Sequence, residues 1–581
     1  MSEAATEEAA QRRLPDPPSL WEPAPACPAT AALEAAGYSS ILAPLLARRG
    51  AVDQRSAERF LAPGPEQLHD PFDLAGMEQA VVRLERARAR GERVAIVGDY
   101  DVDGVTGAAL LAAVLAACGI EREVLLPHRM IDGYGFQPVH VDRALELGCR
   151  LVVTVDCGTS SAAAIERAVE AGIDVVVTDH HLPPAGFPQA AIQVNPRQPG
   201  CRYPFRELSG VGLAFKLATA LLTRVGRPVP IGSLLRIACL GTIADLVSLE
   251  GENRVIATLG LRSLADTRSV GLRALMRIAG VKPPLTAADV GFRLGPRINA
   301  AGRLDTAELA LELLLTRDEA RAEELAALLD ATNRDRQAEE RRVVEEAVAL
   351  FSEVAPLPGV LVAWSPGWHR GVVGIAAGRL AQRFHRPTLL LSVDGELATG
   401  SGRSIPGVHL HGFLDGWRDR LVKFGGHAAA IGLTARTADL ELLRETWCAA
   451  ADWPEHLLTR RYEYEIDVPT ASRLDVSLFA EVARLEPFGP GNPAPLVRVG
   501  PLDLLAPPRI FGNGHLSAIT VGADGGRVRI VGWGWEARAH ELEGRFEALG
   551  LLDWDDWVGA PALRLVDVRR AVGEGASTPA S

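Results

Sequence analysis

Long hydrophobic runs are missing from this 581-residue sequence. No stretch of apolar residues reaches the roughly 18 needed to cross a bilayer, so the sequence predicts no membrane-spanning helix. The opening MSEAATEEAAQRR lacks the apolar core of a secretion signal, and we expect a cytoplasmic protein without a membrane partner. The composition, 48% hydrophobic and 23% charged, is typical of a globular chain with about three or four domains.

Cysteine and lysine are also scarce. The seven cysteines form no C-x-x-C pair, and we interpret them as reduced thiols. Only three of the 61 basic residues are lysines, which we interpret as a compositional bias. The net charge of -12 argues against nucleic-acid binding through a globally positive surface, although it leaves room for a local basic channel.

Several catalytic motifs are absent as well. The sequence contains no G-x-x-x-x-G-K-[ST] loop, no G-x-S-x-G and no H-E-x-x-H. Nucleotide-driven motors and serine hydrolases are therefore unsupported.

Short apolar runs alternate with helical stretches from Arg93 onward. The predicted strands are Val94 to Gly98, Glu123 to Leu126, Leu151 to Val155 and Ile173 to Thr178. Strands that alternate with helices predict βαβ units on a parallel sheet, and hence an α/β domain over about 81–315.

Other regions have different patterns. Residues 1–80 are predicted to be a lead-in and helical segment, and 572–581 a disordered tail. A stretch without proline or glycine predicts a connecting helix over 316–352. Glycine clusters mark a second α/β domain over 353–455, and strand-like alternation over 456–571 predicts a small β-barrel.

Acids and histidines follow three of the predicted strands. They are Asp99, Asp101 and Asp103 in VGDYDVDG, Asp156 in VTVDCG, and Asp179, His180 and His181 in VTDHH. Asp245 in GTIADLV follows an apolar helical segment and can reach the same sheet edge, where ligands of open α/β sheets gather. Converging carboxylates repel one another unless cations neutralise them, and carboxylates with imidazole suit Mn²⁺ or Mg²⁺. Any single aspartate here could instead cap a helix or turn, and this alternative is strongest for Asp99 and Asp179.

The motifs DYDVDG, VTVDCG, TDHH and GTIADLV, in this order, resemble the signature of the DHH phosphoesterase superfamily. GPRINAAGR, SGRSIPG, FGGHAAAIG and PFGPGNPAP resemble the RecJ exonucleases within it. The resemblance implies a DHH domain with a parallel sheet, a long connecting helix, a DHHA1 α/β domain and a C-terminal OB-type β-barrel. It also implies a metal-dependent 5′→3′ exonuclease that hydrolyses single-stranded DNA to 5′-mononucleotides in DNA repair and recombination.

The resemblance further implies two divalent cations, with Mn²⁺ preferred and Mg²⁺ the alternative. One would lie on Asp101 and Asp156, with Asp99 a further candidate. The other would lie on Asp103, Asp156, His180 and Asp245, so that Asp156 bridges the two. His181 would face the scissile phosphate.

Donors for the substrate phosphates are expected at three places. They are Arg129 after a strand, Arg297 and Arg303 in a loop, and Ser401, Arg403, Gly425, Gly426 and His427 in the second α/β domain. Tight turns alone can explain such glycine clusters. Tyr134 and Phe136 are candidates for base stacking, as is Phe511, whereas a core position is favoured for Trp533 and Trp535.

Two other functions fit the same motifs. One is a DHH phosphodiesterase acting on short oligoribonucleotides or cyclic dinucleotides. The barrel and the long helix argue against this function, because a small substrate needs neither. The other is a non-catalytic replication scaffold, and the complete set of metal ligands argues against it. The expected partners are single-stranded DNA, a single-strand-binding protein and a helicase.

Overall fold

The computed structural model describes residues 17–571, except 129–131, 134, 185, 189, 305–306, 353, 355 and 556–557. The chain divides into two compact units. The larger consists mainly of Pro23–Gly302 and Glu463–Ser581, with Thr306–Leu329. The smaller consists mainly of Asp330–Tyr462 and includes Arg303–Asp305.

The N-terminal segment contains a strand, β1 (Ser19–Pro23), and the helices Thr30–Ala35, Leu42–Arg48 and Gln54–Leu61. Short 3₁₀ turns follow at Pro65–Gln67 and Pro71–Asp73. Leu33, Leu45 and Leu46 of these helices are buried in one core with residues of the C-terminal β domain. The helical segment therefore packs with strands that lie more than four hundred residues later in the chain.

Five parallel strands form the sheet of the first α/β domain. They are β2 (Arg93–Gly98), β3 (Arg122–Leu125), β4 (Cys149–Val155), β5 (Asp174–Thr178) and β6 (Ile192–Val194), in the order β3-β2-β4-β5-β6. Buried valine, isoleucine and leucine fill the central strands, as a sheet covered on both faces requires. The direction of strand order reverses between β2 and β4, and this reversal opens a crevice at their carboxyl ends.

Helices cover this sheet and extend the domain. Those within or before the sheet region are Met77–Arg90, Val102–Ala117, Pro138–Glu146 and Ala162–Glu170. Those after it are Gly210–Arg224, Ile231–Ala244, Gly251–Ala265, Val270–Ile278, Ala287–Asp289, the π-helical turn Val290–Leu294, Gly295–Leu304 and Glu308–Leu315.

The connecting helix is Glu319–Ser352, a single element of 34 residues. Leu325 and Leu329 are buried in the core of the larger unit, whereas Val343 and Ala347 are buried in that of the smaller unit. The long connecting helix expected from the sequence is therefore present.

The smaller unit contains a mixed five-stranded sheet. Its strands are β7 (Leu361–Ser365), β8 (Thr388–Asp394), β9 (Leu397–Arg403), β10 (Lys423–Gly426) and β11 (Ala430–Arg436). The order is β10-β11-β9-β8-β7, and only β7 and β8 are parallel. Its helices are Val373–Phe384, Leu410–Asp415, Leu440–Ala450 and Glu455–Leu458, with 3₁₀ turns at Arg418–Arg420 and Thr437–Asp439.

The C-terminal region consists of β strands and one helix, Val476–Ala483. After β12 (Arg460–Tyr464), which pairs with β1, come β13 (Ile466–Val468), β14 (Leu496–Leu504), β15 (Arg509–Phe511), β16 (His515–Gly522), β17 (Arg527–Gly532), β18 (Phe546–Asp555) and β19 (Ala560–Arg570). Short 3₁₀ segments are Ala471–Arg473 and Glu536–Leu542. The order is β13-β14-β18-β19-β17-β16-β15, and β14 also pairs with β16, which gives a ring of five pairings.

Within the described ranges, no helix is both long and apolar enough to cross a membrane.

Candidate metal centre

Four stretches of chain bring acids and histidines to the sheet edge at the β2/β4 crevice. Asp99 follows β2, Asp156 follows β4, and the pair His180 and His181 follows β5. Asp101 is the N-cap of helix Val102–Ala117, Asp103 lies in its first turn, and Asp245 ends helix Ile231–Ala244. The structure thus brings together all six carboxylates and imidazoles expected to bind metal.

Asp156 occupies the centre of this cluster. Its φ of 61° lies in the left-handed region, which non-glycine residues rarely adopt. Its backbone N–H donates to Thr178 O at 3.0 Å, and the residue is 2% exposed. A β-carbon on Gly210 would lie 2.4 Å from Asp156 Cβ, so only glycine allows helix Gly210–Arg224 to approach this closely.

Backbone amides hold the neighbouring carboxylates. Asp103 accepts from Gly210 N at 2.6 Å and from Val211 N at 2.7 Å, and these amides open helix Gly210–Arg224. A helix N-terminus favours negative charge, so this contact fixes the carboxylate in place. Asp101 accepts from Gly104 N at 3.0 Å.

The two histidines have different surroundings. His180 Nε2 lies 3.0 Å from Asp156 Oδ1 and 3.7 Å from Asp245 Oδ2. His181 Nδ1 lies 2.7 Å from Asp179 Oδ1, and the His181 side chain is 41% exposed. Asp179 also accepts from Thr159 N at 2.9 Å. His180 is therefore placed among the proposed ligands, whereas His181 is held by Asp179 and remains accessible.

Burial and mutual repulsion raise the pKa values of the clustered carboxylates. Burial, followed by the charge of Asp101, raises the pKa of Asp99 to about 8 and that of Asp103 to about 7. Burial, followed by the charge of Asp103, raises the pKa of Asp245 to about 9 and that of Asp156 well above its ordinary value. Without cations, these groups resist ionising together.

The pKa values of His180, His181 and Asp179 shift in different directions. Burial, with the charge of His181, lowers the pKa of His180 to about 4, so its imidazole is neutral at physiological pH. Burial opposes ionisation of Asp179, but the hydrogen bond and charge of His181 outweigh it and lower the pKa of Asp179 to about 2. Burial likewise disfavours charge on His181, but its hydrogen bond with Asp179 outweighs this and raises its pKa.

The donor atoms fit divalent cations. Ligand atoms lie within 4.8 Å of one another in three groups, Asp99 with Asp101 and Asp156, Asp103 with His180 and Asp245, and Asp156 with His180 and His181. Among the described residues, Asp99 Oδ1, Asp156 Oδ1 and His180 Nε2 are buried and form no hydrogen bond of acceptable geometry, although the last two lie 3.0 Å apart. Such atoms are costly unless a cation satisfies them, and oxygen with imidazole nitrogen suits Mn²⁺ or Mg²⁺.

The expected phosphate donors near the first domain are placed differently from the prediction. Arg129 lies outside the described residues. Arg297 and Arg303 were expected in a loop, but both lie in helix Gly295–Leu304. That helix forms because Ile298 and Ala301 are buried in the core and Asn299 Oδ1 accepts from Val102 N at 3.0 Å.

Ser401 and Arg403 stand at alternate positions of β9, which places them on one face of the sheet in the smaller unit. Helix Val373–Phe384 packs closely against these two side chains. A β-carbon on its Gly374 would lie 3.1 Å from Ser401 Oγ and 3.2 Å from Arg403 Nη2. Gly432 of β11 pairs with both Ser401 and Gly425. Gly425 and Gly426 end strand β10, and His427 follows it, so this segment is a paired strand end and not a tight turn. All three residues are exposed, and β10 lies two strands from β9, which carries Ser401.

The aromatic candidates have contrasting environments. Phe136 was expected to be able to stack on a base, but it is 1% exposed and packs in a core with Val97 and Cys157. Tyr134 lies outside the described residues. Trp535 is 6% exposed, as a core position requires. Trp533 was also expected in the core, but it is 56% exposed, because the turn after β17 directs it outward.

Three exposed or half-buried rings form a cluster in the β domain. The ring centroid of Trp533 lies 4.7 Å from that of His515 and 5.9 Å from that of Phe511. Phe511 and His515 are cross-strand partners in β15 and β16. This aromatic cluster, Phe511, His515 and Trp533, presents flat apolar rings at the edge of the sheet.

Sequence reasoning missed the residues that support the ligands. A β-carbon on Gly241 would lie 2.7 Å from Asp103 Oδ1, so Gly241 is required at the centre as Gly210 is. Asn195 Nδ2 donates to His181 O at 2.8 Å. These contacts join segments distant in sequence, and only the glycines beside the motif aspartates gave a local signal.

Comparison with known proteins was made on sequence and on structure. Three family models match the chain, namely the DHH family, N-terminal domain over residues 93–242, the DHHA1 domain over 357–451 and the RecJ OB domain over 466–566. The single-stranded-DNA-specific exonuclease RecJ of Bacillus subtilis (strain 168) is 37% identical over 543 residues, which cover 92% of this chain and 68% of the relative.

Two solved structures are also similar over most of the chain. The crystal structure of RecJ in complex with Mn²⁺ from Thermus thermophilus matches with a TM-score of 0.80 and 32% identity, over 95% of this chain and 80% of that chain. The complex of RecJ with Mg²⁺ from the same organism matches with a TM-score of 0.74 and 31% identity, over 95% and 79% of the two chains.

Proposed function

Because the chain belongs to the RecJ family, we propose that it is a metal-dependent exonuclease specific for single-stranded DNA. It degrades the strand in the 5′→3′ direction and releases 5′-mononucleotides, in DNA repair and recombination. The observation that carries this proposal is the mostly buried cluster of five aspartates and one histidine centred on Asp156, which includes atoms that form no hydrogen bond.

Two divalent cations, Mn²⁺ in preference to Mg²⁺, fit this cluster. Asp101 and Asp156 would hold one of them, with Asp99 a further candidate, and Asp103, Asp156, His180 and Asp245 would hold the other. When bound, such cations supply Lewis-acid chemistry and neutralise the charge of the phosphate under attack. Catalysis thus depends on Asp156 and on His181.

The surrounding residues orient the ligands and the substrate. The amides of Gly210 and Val211 fix Asp103, so that its oxygens cannot rotate away. Asp179 fixes the His181 ring and favours its protonated form, because it raises the pKa of that imidazole. When protonated, the accessible His181 would donate a hydrogen bond to a phosphate oxygen of the scissile group.

Further donors are assigned to the substrate phosphates beyond the scissile bond. Ser401 and Arg403 present a hydroxyl and a planar guanidinium on one face of β9, and we assign them to the terminal phosphate. The exposed residues Gly425, Gly426 and His427 would add donors such as the His427 imidazole, and Arg129, Arg297 and Arg303 would supply further positive charge.

The OB domain contributes affinity for unpaired strand. Bases stack on exposed aromatic rings irrespective of sequence, and Trp533 and Phe511 offer such rings. Arg527, exposed at the start of neighbouring β17, would attract backbone phosphates, whereas the charge of Arg529 is paired with Asp555 at 2.8 Å.

A cytoplasmic location, a helicase and a single-strand-binding protein complete the proposal. An exonuclease restricted to single strands needs another protein to unwind the duplex, and unpaired DNA is coated by a binding protein. All seven cysteines are free thiols, which suits a reducing compartment. Faster duplex degradation on addition of a helicase would support this arrangement, and an unchanged rate would oppose it.

Digestion of end-labelled oligomers tests the function. Single-stranded and blunt duplex DNA, and RNA of the same sequence, are labelled at the 5′ or 3′ end and incubated with Mn²⁺, Mg²⁺ or chelator. We expect metal-dependent release of labelled mononucleotide from 5′-labelled single-stranded DNA at the earliest times. Preferred cleavage of short RNA would favour the oligoribonucleotide hydrolase, and no cleavage with either metal would favour the scaffold.

A further inference from the structure

The smaller unit contains a pocket that none of the residues assigned above lines. It encloses about 400 Å³ between the end of helix Val373–Phe384, the segment that follows β9, and β12. Its polar lining residues are Gln382, His385, Ser404, Arg460, Arg461 and Tyr462. The volume lies in the range of pockets that hold small ligands.

The lining carries positive charge and contains no carboxylate. Arg460 donates from Nη2 to the backbone oxygens of Gln382 and Arg383, and in the described part of the chain it forms no ion pair. Arg461 lies 3.6 Å from Glu22, but both side chains are about half exposed, and such pairs contribute little. The two guanidinium groups therefore leave charge available for an anion.

The pKa of His385 indicates the same positive surroundings. Burial lowers its pKa, and the charges of Arg460 and Arg386 lower it further. Its φ of 48° is left-handed, a conformation that residues with a β-carbon rarely adopt. The helix therefore ends at the pocket on a histidine, where glycine would be the unstrained residue.

The remaining surface is apolar and includes one aromatic ring. Ala381, Ile405 and Pro406 form apolar walls, and Tyr462 contributes the ring. Guanidinium groups recognise phosphate, and aromatic rings stack on nucleobases. We propose that this pocket binds a nucleotide, with its phosphate on Arg460 and Arg461 and its base against Tyr462.

The pocket is distinct from the face that carries Ser401 and Arg403. Gly374 lies against those two side chains, and Ala381 is seven residues later on the same helix. At 1.5 Å per residue, the two positions are about 10 Å apart along the helix axis. A phosphate in the pocket is thus additional to one on Arg403. The nucleotide can be a free 5′-monophosphate or part of a bound strand, and its identity as the reaction product rests on the proposed function.

Calorimetry on the full chain in chelator tests this proposal without hydrolysis. The titrants are thymidine 5′-monophosphate, thymidine, inorganic phosphate and a 5′-phosphorylated thymidine oligomer. The measurements use an Arg403→Ala background, which removes the guanidinium of the other phosphate face. We expect saturable binding of the monophosphate that is at least tenfold weaker after Arg461→Ala. Tyr462→Leu should weaken binding of the monophosphate but not binding of inorganic phosphate.

Arg436→Ala is the matched control, because Arg436 is an exposed arginine at the end of β11 in the same unit. Equal binding in the Arg461→Ala and Arg436→Ala chains would overturn the proposal, as would thymidine binding as tightly as its monophosphate. If Arg461→Ala weakens binding of the oligomer but not of the monophosphate, the pocket binds a phosphate of the strand. That result would exclude a free nucleotide as its ligand. Failure of the proposed function would appear separately, as lack of Mn²⁺-dependent cleavage by the wild-type chain.

Discussion

Adding a single methyl group at Gly210 should disable the metal centre without removing any ligand. In Gly210→Ala the new β-carbon would lie 2.4 Å from Asp156 Cβ and 2.8 Å from its Cα and Cγ. Ordinary contacts of this kind begin at about 3.5 Å, so Asp156 or helix Gly210–Arg224 must move by about 1 Å. The same movement would disturb the hydrogen bond from Gly210 N to Asp103.

The expected effect on activity is large and that on stability moderate. Misplacing a catalytic group by about 1 Å can cost about a hundredfold in rate. Overpacking of a buried site costs about 1–3 kcal/mol, and alanine regains up to about 1 kcal/mol over glycine in a helix. We therefore expect a folded protein whose Mn²⁺-dependent cleavage of single-stranded DNA is at least a hundredfold slower.

Gly212→Ala is the matched control, two residues later in the same helix. Its β-carbon would lie 3.3 Å from Ser209 Oγ, and a small hydroxyl can yield. The assay is the initial rate of mononucleotide release at saturating Mn²⁺, with circular dichroism to verify folding. Equal rates for Gly210→Ala and Gly212→Ala would refute the role of close helix approach at Asp156.

Three further changes have definite expected outcomes. Glu252→Ala leaves the buried ammonium of Lys216 without its carboxylate partner and should destabilise the larger unit by about 3–5 kcal/mol, seen as a lower melting temperature, whereas Glu78→Ala on the surface should melt like wild type. Arg403→Ala should abolish the preference for a 5′-phosphorylated over a 5′-hydroxyl end while leaving cleavage of saturating substrate measurable, and a retained preference would locate the terminal phosphate elsewhere. In chelator, the melting temperature should fall as pH rises from 5 to 9. The folded state raises the pKa values of Asp103, Asp99 and Asp245 to about 7, 8 and 9, so ionisation of these carboxylates favours the unfolded state. Mn²⁺ should remove this dependence, and a fall of the same size with Mn²⁺ would contradict the assignment.

The sequence was sufficient to predict which acids and histidines cluster at the sheet edge, because these residues follow local signals. Asp99, Asp156 and His180 come directly after buried β-branched strands, and parallel strands bring their carboxyl ends to one edge. The parallel sheet, the connecting helix and the OB-type fold are confirmed. Hydrophobic periodicity and the residues at strand ends were therefore sufficient to predict most of the fold class.

Other features depend on long-range packing that no local pattern encodes. Trp533 and Trp535 occupy alternate positions in one short segment, yet one is exposed and the other is buried against Gly532. Phe136 was a candidate for base stacking, but it is buried in a core with Cys157. The N-terminal helices gave no sign that Leu45 would pack with the C-terminal β domain.

The most direct test of the central claim is the number of Mn²⁺ ions bound by the full chain, measured by calorimetry and electron paramagnetic resonance. Wild type should bind two ions per chain whose spins are coupled, because Asp156 is positioned to be a ligand of both. Asp156→Asn should lose the coupling and at least one ion while remaining folded. The control is Asp266→Asn, at an exposed aspartate of the same unit, which should still bind two coupled ions. Two coupled ions bound by Asp156→Asn with wild-type affinity would contradict the account.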